Sequence, residues 1–195
     1  MLGSAFNPPH LGHMVLAQEA AAQLGLSRVL LVPTGRAPHK EISGDPGAGV
    51  RLEMAGAAAN GDVTEVESFE VDEAERTGEP SYAVRTLEEL ASERDEELVW
   101  IMGADAAAGL EEWRNPERIL ELARVAVADR RGVEREAVED VIGRLGGTQR
   151  ASFLEMPEIG VSSSMIRERV AAGRPVRYLV PDGVADVIER RGLYR

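Results

Sequence analysis

Three short apolar runs set the limits on what this chain can fold into. Residues 28–33 (Arg-Val-Leu-Leu-Val-Pro), 98–103 (Leu-Val-Trp-Ile-Met-Gly) and 124–128 (Arg-Val-Ala-Val-Ala) are each too short for a typical helix, and their apolar positions are consecutive rather than alternate. A strand buried on both faces reads this way, and such strands belong to parallel sheets covered by helices. Residues 63–71 and 152–156 are weaker strand candidates. Between these runs the apolar period lengthens to that of a helix. In 11–24 it picks out Leu11, Met14, Val15, Gln18, Ala21, Ala22 and Leu24, with Gly25 as the stop. The same period predicts helices over 50–59, 82–94, 116–122 and 134–145. Two more are expected over 163–172, stopped by Gly173, and over 182–191, opened by Pro181-Asp182 and stopped by Gly192. Strand–helix alternation implies an α/β fold: a Rossmann-like, doubly wound, mainly parallel sheet with helices on both faces and a C-terminal helical segment. Ligands in such sheets bind beyond the C-terminal strand ends, near the point where strand order reverses.

The 195 residues suit a single domain, 1–195, with the C-terminal helices from about 163 onward as part of it. Only Met1 and Leu2 precede Gly3, so either the first strand is very short or the start lies upstream. Residues 34–49, rich in Gly, Pro and Ser, are long for a connection and read as a functional or mobile loop. With 34 acidic and 22 basic residues the net charge is −12, which argues against a general nucleic-acid binder but leaves room for a mononucleotide cleft lined by a few cations. The absence of cysteine excludes disulfides, thiolate catalysis and thiolate zinc sites. No run approaches the roughly 18 apolar residues of a membrane span, and the N-terminus lacks a signal-peptide pattern, so a soluble cytoplasmic protein is expected. Oligomeric state is left open.

Two constellations carry chemistry. Gly3-Ser4-Ala5-Phe6-Asn7-Pro8-Pro9-His10-Leu11-Gly12-His13 runs from strand through turn to helix. His10 and His13, three apart, share one face of the first turn, and the N–H groups of a helix start favour an anion. Gly3 and Ser4 are small enough for a ligand to approach the backbone. The bland alternative is two surface histidines. All three histidines, the third being His39, fall within the first 39 residues, and Lys40 is the single lysine among 22 basic residues. The second constellation is Val161-Ser162-Ser163-Ser164-Met165-Ile166-Arg167. One serine suffices for a cap, three exceed it, and Arg167 adds a forked cation suited to phosphate oxygens. Here the bland alternative is an ordinary cap with solvated arginines.

In these motifs the chain resembles the nucleotidyltransferase superfamily with an H-x-G-H motif and a C-terminal I-S-x-T/S-x-x-R motif. Within it the chain is similar to bacterial nicotinate-nucleotide adenylyltransferases. Ala37-Pro38-His39-Lys40 resembles the family's P-P-H-K/R loop, and Pro80 through Leu87 (Pro-Ser-Tyr-Ala-Val-Arg-Thr-Leu) its P-S-Y-T-x-x-T-L segment. Met102-Gly103-Ala104-Asp105 resembles its I-G-x-D segment, with Trp113 at the expected distance. Asp129-Arg130-Arg131-Gly132, Leu179-Val180-Pro181 and Gly192-Leu193-Tyr194-Arg195 also fit. The likeness covers essentially the whole chain.

The resemblance implies adenylyl transfer from ATP, with Mg²⁺ carried by its phosphates, to nicotinate mononucleotide, giving nicotinate adenine dinucleotide and pyrophosphate in NAD biosynthesis. It implies catalytic roles for His10, His13 and Arg167. ATP would be held by Gly3, Ser4, Ala5, His10, His13, Gly103, Asp105, Ser163, Ser164 and Arg167, and the mononucleotide by Phe6, Asn7, His39, Lys40, Ser81, Tyr82, Ala83 and Trp113. No protein metal ligand is expected. Trp113, among polar neighbours, reads as a stacking surface rather than core. Asp105 suits a ribose hydroxyl or, in its bland reading, a helix cap. The chain departs from the family at Ser4-Ala5, where Gly-Thr is usual, and at Ala83, where Thr is usual. Two alternatives stand beside this reading: another superfamily adenylyltransferase, with nicotinamide mononucleotide or pantetheine phosphate as acceptor, and a non-catalytic nucleotide-binding module. A dehydrogenase is disfavoured because no G-x-G-x-x-G follows the first strand.

Overall fold

The computed structural model describes residues 1–38, 41–128 and 135–195. Six strands form one sheet: β1 (Leu2–Ser4), β2 (Val29–Pro33), β3 (Thr64–Val66), β4 (Leu98–Gly103), β5 (Ala123–Ala128) and β6 (Ala151–Leu154). Their order is β3-β2-β1-β4-β5-β6, and every pairing is parallel. This is the doubly wound dinucleotide-fold order, with its switch point between β1 and β4. The helices are α1 (Leu11–Leu24), α2 (Ala48–Ala58), α3 (Phe69–Thr77), α4 (Ala83–Glu93), α5 (Ala104–Ala108), α6 (Pro116–Leu122), α7 (Arg135–Arg144), α8 (Ser163–Ala171) and α9 (Asp182–Arg191).

Burial explains the consecutive apolar runs. In β4 the side chains of Leu98, Trp100 and Met102 join one core with α4 to α7, while Val99 and Ile101 join a second core with α1. A strand must be apolar at every position when both faces are covered. A third cluster packs α8 and α9 on α2 through Met54, Ile166, Val184 and Ile188. There Gly183 lies so close to α2 that a Cβ would meet the Ala57 carbonyl oxygen at 2.7 Å.

Three expectations need correction. Residues 63–71 are not one strand: the sheet keeps only Thr64–Val66, and Phe69 starts α3. Its end signals agree with a helix, with Glu70 and Asp72 in the first turn, Arg76 in the last and Gly78 at a φ of 71°. In α1 the buried residues are Ala17 and Ala20, flanked by Met14, Leu16, Ala21 and Leu24, whereas Leu11, Gln18 and Ala22 are exposed. Small alanines sit against the sheet, so the buried stripe is rotated away from the one the larger apolar residues suggest. Asp105 is not the helix cap of its bland reading: α5 starts at Ala104 with Gly103 in the cap position, and Asp105 lies within its first turn.

Candidate active site

The C-terminal edge of the sheet gathers the starts of α1, α4, α5 and α8, four helix ends whose first N–H groups lack intrahelical partners. At the end of β1 the Ser4 hydroxyl lies 3.3 Å from Nε2 of His13. The His10 backbone N–H donates to Nδ1 of His13 at 3.2 Å. An accepting Nδ1 places the ring proton on Nε2, so His13 is a neutral donor held at the strand end. Burial, with the neighbouring His10 as a smaller cause, lowers its pKa to about 3. The two imidazoles stack with centroids 3.9 Å apart, and the edge of Phe6 braces His13 at 5.0 Å. Phe6 is fully buried, so it shapes the site through His13 and has no face open to a ligand.

Gly3 has a different reason from the one its position suggests. A Cβ there would lie 2.9 Å from the Trp100 ring, so the missing side chain makes room for tryptophan. Gly103 does face open space, with no atom within 4 Å of a Cβ built on it. Ala5 contributes its carbonyl, which accepts from Arg51 at 3.1 Å.

The serine run divides its labour. Ser162 caps α8 by accepting from the Met165 N–H at 3.2 Å. Ser163 donates its hydroxyl to the Pro8 carbonyl at 2.9 Å and so ties α8 to the β1–α1 turn. The Ser164 hydroxyl accepts from Arg167, whose other terminal nitrogen donates to the Asn7 carbonyl at 2.8 Å. The helix geometry leaves the N–H groups of Ser163 and Ser164 for an anion beside a guanidinium. Asn7 is buried, and its side-chain amide is spent within the protein, on the Ser43 and Gly44 carbonyls and the Tyr194 hydroxyl.

A second group of candidate residues gathers around β2 and α4. Ser81, buried, accepts through its hydroxyl oxygen from the N–H groups of Gly35 and Arg36 at 3.1 and 3.2 Å. It therefore pins the segment after β2 to the start of α4, and its hydroxyl has its partners inside the protein. Tyr82 occupies the cap position and Ala83 the first turn of α4. The Arg114 guanidinium stacks on the Tyr82 ring at 4.5 Å. Trp113 is partly buried, edge-on to Trp100 at 6.2 Å and 89°, so it belongs partly to the core, contrary to a purely exposed stacking surface. His39 and Lys40, together with residues 129–132, lie outside the described residues.

Among the described residues three charged side chains are buried that no local sequence pattern announces, Arg51, Glu70 and Glu73, and the first two meet at Gly35. Arg51 is fully buried and donates to the carbonyls of Ala5, Thr34 and Gly35 and to the Asp45 carboxylate. It cross-links the ends of β1 and β2 from α2, the helix that follows β2 in the chain. Glu70 is also buried: burial raises its pKa to about 7, against smaller lowering by bonds from Thr86, Ser81 and the Gly35 N–H. Among the described residues no three His, Asp or Glu side chains converge to hold a metal, and no helix is long and apolar enough to cross a membrane.

Residues 1–169 match the cytidylyltransferase-like family model. The "probable nicotinate-nucleotide adenylyltransferase" of Roseiflexus sp. strain RS-1 is 41% identical over all of this chain and 96% of its own length. The Tropheryma whipplei strain TW08/27 protein of the same name is 39% identical over all of this chain and 98% of its own. Among solved structures, Plasmodium falciparum nicotinic acid mononucleotide adenylyltransferase in complex with APC superposes with a TM-score of 0.72 at 12% identity, covering 99% of this chain and 94% of that one; the likeness at that identity is one of fold. Identity sustained from end to end with the bacterial relatives decides the matter: this chain belongs to the nicotinate-nucleotide adenylyltransferase family.

Proposed function

We propose that the protein transfers the adenylyl group of ATP to nicotinate mononucleotide, releasing pyrophosphate and forming nicotinate adenine dinucleotide. The family supplies the reaction class. The observation that carries the residue assignment is the meeting of His13, Ser4, the α8 start and Arg167 around the β1–α1 turn. A phosphate oxygen of the mononucleotide attacks the α-phosphorus; the bond from that phosphorus to the bridging oxygen of the β-phosphate breaks, and pyrophosphate leaves in line. The attacking oxygen is already anionic, so no general base is required. Positioning and charge neutralisation carry the catalysis.

His10 and His13 sit where the α- and β-phosphates would pass, with Nε2–H of His13 as a fixed neutral donor. A neutral ring suits a donor that must not require prior protonation at physiological pH, and the arriving phosphates favour its charged form as charge moves to the leaving group. The N–H groups of Ser163 and Ser164, with Arg167, hold the β- and γ-phosphates. Gly103, open at its Cα, and Asp105 line the nucleoside side. The donors here are imidazole, amide and guanidinium, which suit phosphate oxygens rather than a hard cation, so Mg²⁺ would travel on ATP, where it neutralises phosphate charge. On the acceptor side the first N–H groups of α4, at Ala83 and its neighbour, suit a carboxylate, with the Tyr82 and Trp113 rings beside it. His39 and Lys40 are proposed for the mononucleotide phosphate.

The test follows pyrophosphate release from ATP and Mg²⁺ with nicotinate mononucleotide, nicotinamide mononucleotide and pantetheine phosphate in turn. Stoichiometric pyrophosphate and nicotinate adenine dinucleotide with the first acceptor support the reading. Turnover only with pantetheine phosphate, or none with any acceptor, overturns it.

A further inference from the structure

The side chain of Asn7 is anchored from the far end of the chain. The hydroxyl of Tyr194 donates to Asn7 Oδ1 at 2.6 Å across 187 residues of sequence. The Asn7 amide nitrogen donates to the Ser43 carbonyl at 2.9 Å and the Gly44 carbonyl at 3.3 Å. With two carbonyls on its nitrogen the amide has one workable orientation, and its oxygen then requires a donor. Tyr194 is that donor, and burial pushes its phenol well above the ordinary value, so the proton stays on oxygen. The main-chain carbonyl of the same Asn7 accepts from Arg167 at 2.8 Å. Gly44 closes the circle: a Cβ there would lie 3.4 Å from Arg167 Nε.

The geometry of the tail fits this purpose. After α9 the chain turns at Gly192 with a φ of 61°, and Tyr194 itself holds a φ of 61°. A bulky residue leaves the left-handed region readily unless its surroundings retain it. Here Leu193 and Tyr194 pack against the cluster around Met54, and the hydroxyl end of Tyr194 reaches Asn7.

We infer that Tyr194 is a positioning residue for the triphosphate side of the site: its hydroxyl fixes Asn7, and through Asn7 it sets the 43–44 turn and the guanidinium of Arg167. Tyr194 does not itself touch substrate. The inference rests on the adenylyl-transfer reading.

The experiment measures kcat and KM for ATP in the unmodified protein and in Tyr194→Phe, which removes one oxygen and keeps the ring. kcat/KM for ATP is expected to fall about tenfold, the scale of one bond lost from a buried network. In an Arg167→Lys background the same change should cost less than about twofold, whereas in a Trp113→Ala background it should keep its full size, as coupled and uncoupled pairs do. Replacing Tyr194 by 4-aminophenylalanine restores a donor and should return kcat/KM to within about twofold of the starting protein. The inference is overturned by unchanged kcat/KM in Tyr194→Phe, by equal losses in all backgrounds, or by failure of the aminophenylalanine variant to recover. The last criterion stands even where Tyr194→Phe does not fold. An unmodified protein that releases no pyrophosphate overturns the adenylyl-transfer reading and this inference together; turnover in the unmodified protein with no effect of Tyr194→Phe overturns this inference alone.

Discussion

Gly35 passes so close to Glu70 that a Cβ on residue 35 would lie 1.9 Å from the Glu70 carbonyl oxygen. On its other side the Gly35 carbonyl accepts from Arg51 at 3.0 Å, and its N–H donates to Ser81. The segment that follows β2 is therefore gripped by a buried cation from α2, a buried acid from α3 and a buried hydroxyl before α4.

Arg51→Met should expose how much of this grip is electrostatic. The substitution leaves the carbonyls of Ala5, Thr34 and Gly35 without their donor. Removing one partner of a buried charged network typically costs about 3–5 kcal/mol. Urea unfolding should show that loss, with the slope little changed. A loss below about 1 kcal/mol would mean that the carbonyls find other donors.

Glu70 should make the protein less stable as pH rises. Its pKa is raised from 4.5 to about 7 in the folded state, chiefly by burial. The unfolded chain therefore releases this proton first. The contribution is fully present below pH 4.5 and is lost as pH rises through about 7. Glu70→Gln keeps an acceptor for Thr86 and removes the titration. Relative to the unmodified protein it should gain on the order of 1–3 kcal/mol at pH 8 compared with pH 4. Parallel stability profiles for the two proteins would refute the assignment.

Which of these features the sequence revealed follows from their range. β2, β4 and β5 were legible because burial on two faces writes itself into consecutive residues, and α8 because a serine cap and its helix are neighbours. β1 has three residues, too few to show any period. α3 carries acidic residues at its start and Gly78 at its end, but Val66, Phe69 and Val71 suit a strand as well, so the local pattern is ambiguous. The histidine pair, Arg167 and the serine run were legible as motifs. The carbonyl partners of Arg51 lie 16, 17 and 46 residues away in the chain, and no local pattern announces a buried arginine. The reason for Gly3, the ring of Trp100, is likewise a contact across the sheet.

His13→Ala should reduce kcat by about 10²–10³-fold, the usual cost of losing one fixed donor to developing charge. Ser4→Ala, which removes only the partner of Nε2, should cost far less. Circular dichroism and thermal unfolding check that both variants fold. Near-normal turnover in His13→Ala would take this ring out of the mechanism.

The most direct measurement compares kcat/KM for nicotinate and nicotinamide mononucleotides at saturating ATP. The two acceptors differ only at the pyridine substituent. In the proposed acceptor site a carboxylate accepts from N–H groups at the start of α4, whereas an amide would turn its own NH₂ toward one of them and leave that donor unpaired, at about 1–3 kcal/mol. Charge-assisted bonds widen the gap. Since Ala83 has no hydroxyl, discrimination rests on backbone donors: Ala83→Thr should change it little, and Trp113→Ala should weaken both substrates. The expected result is a preference for the acid of at least about tenfold, at 1.4 kcal/mol per decade. Equal constants, or a preference for the amide, would contradict the account.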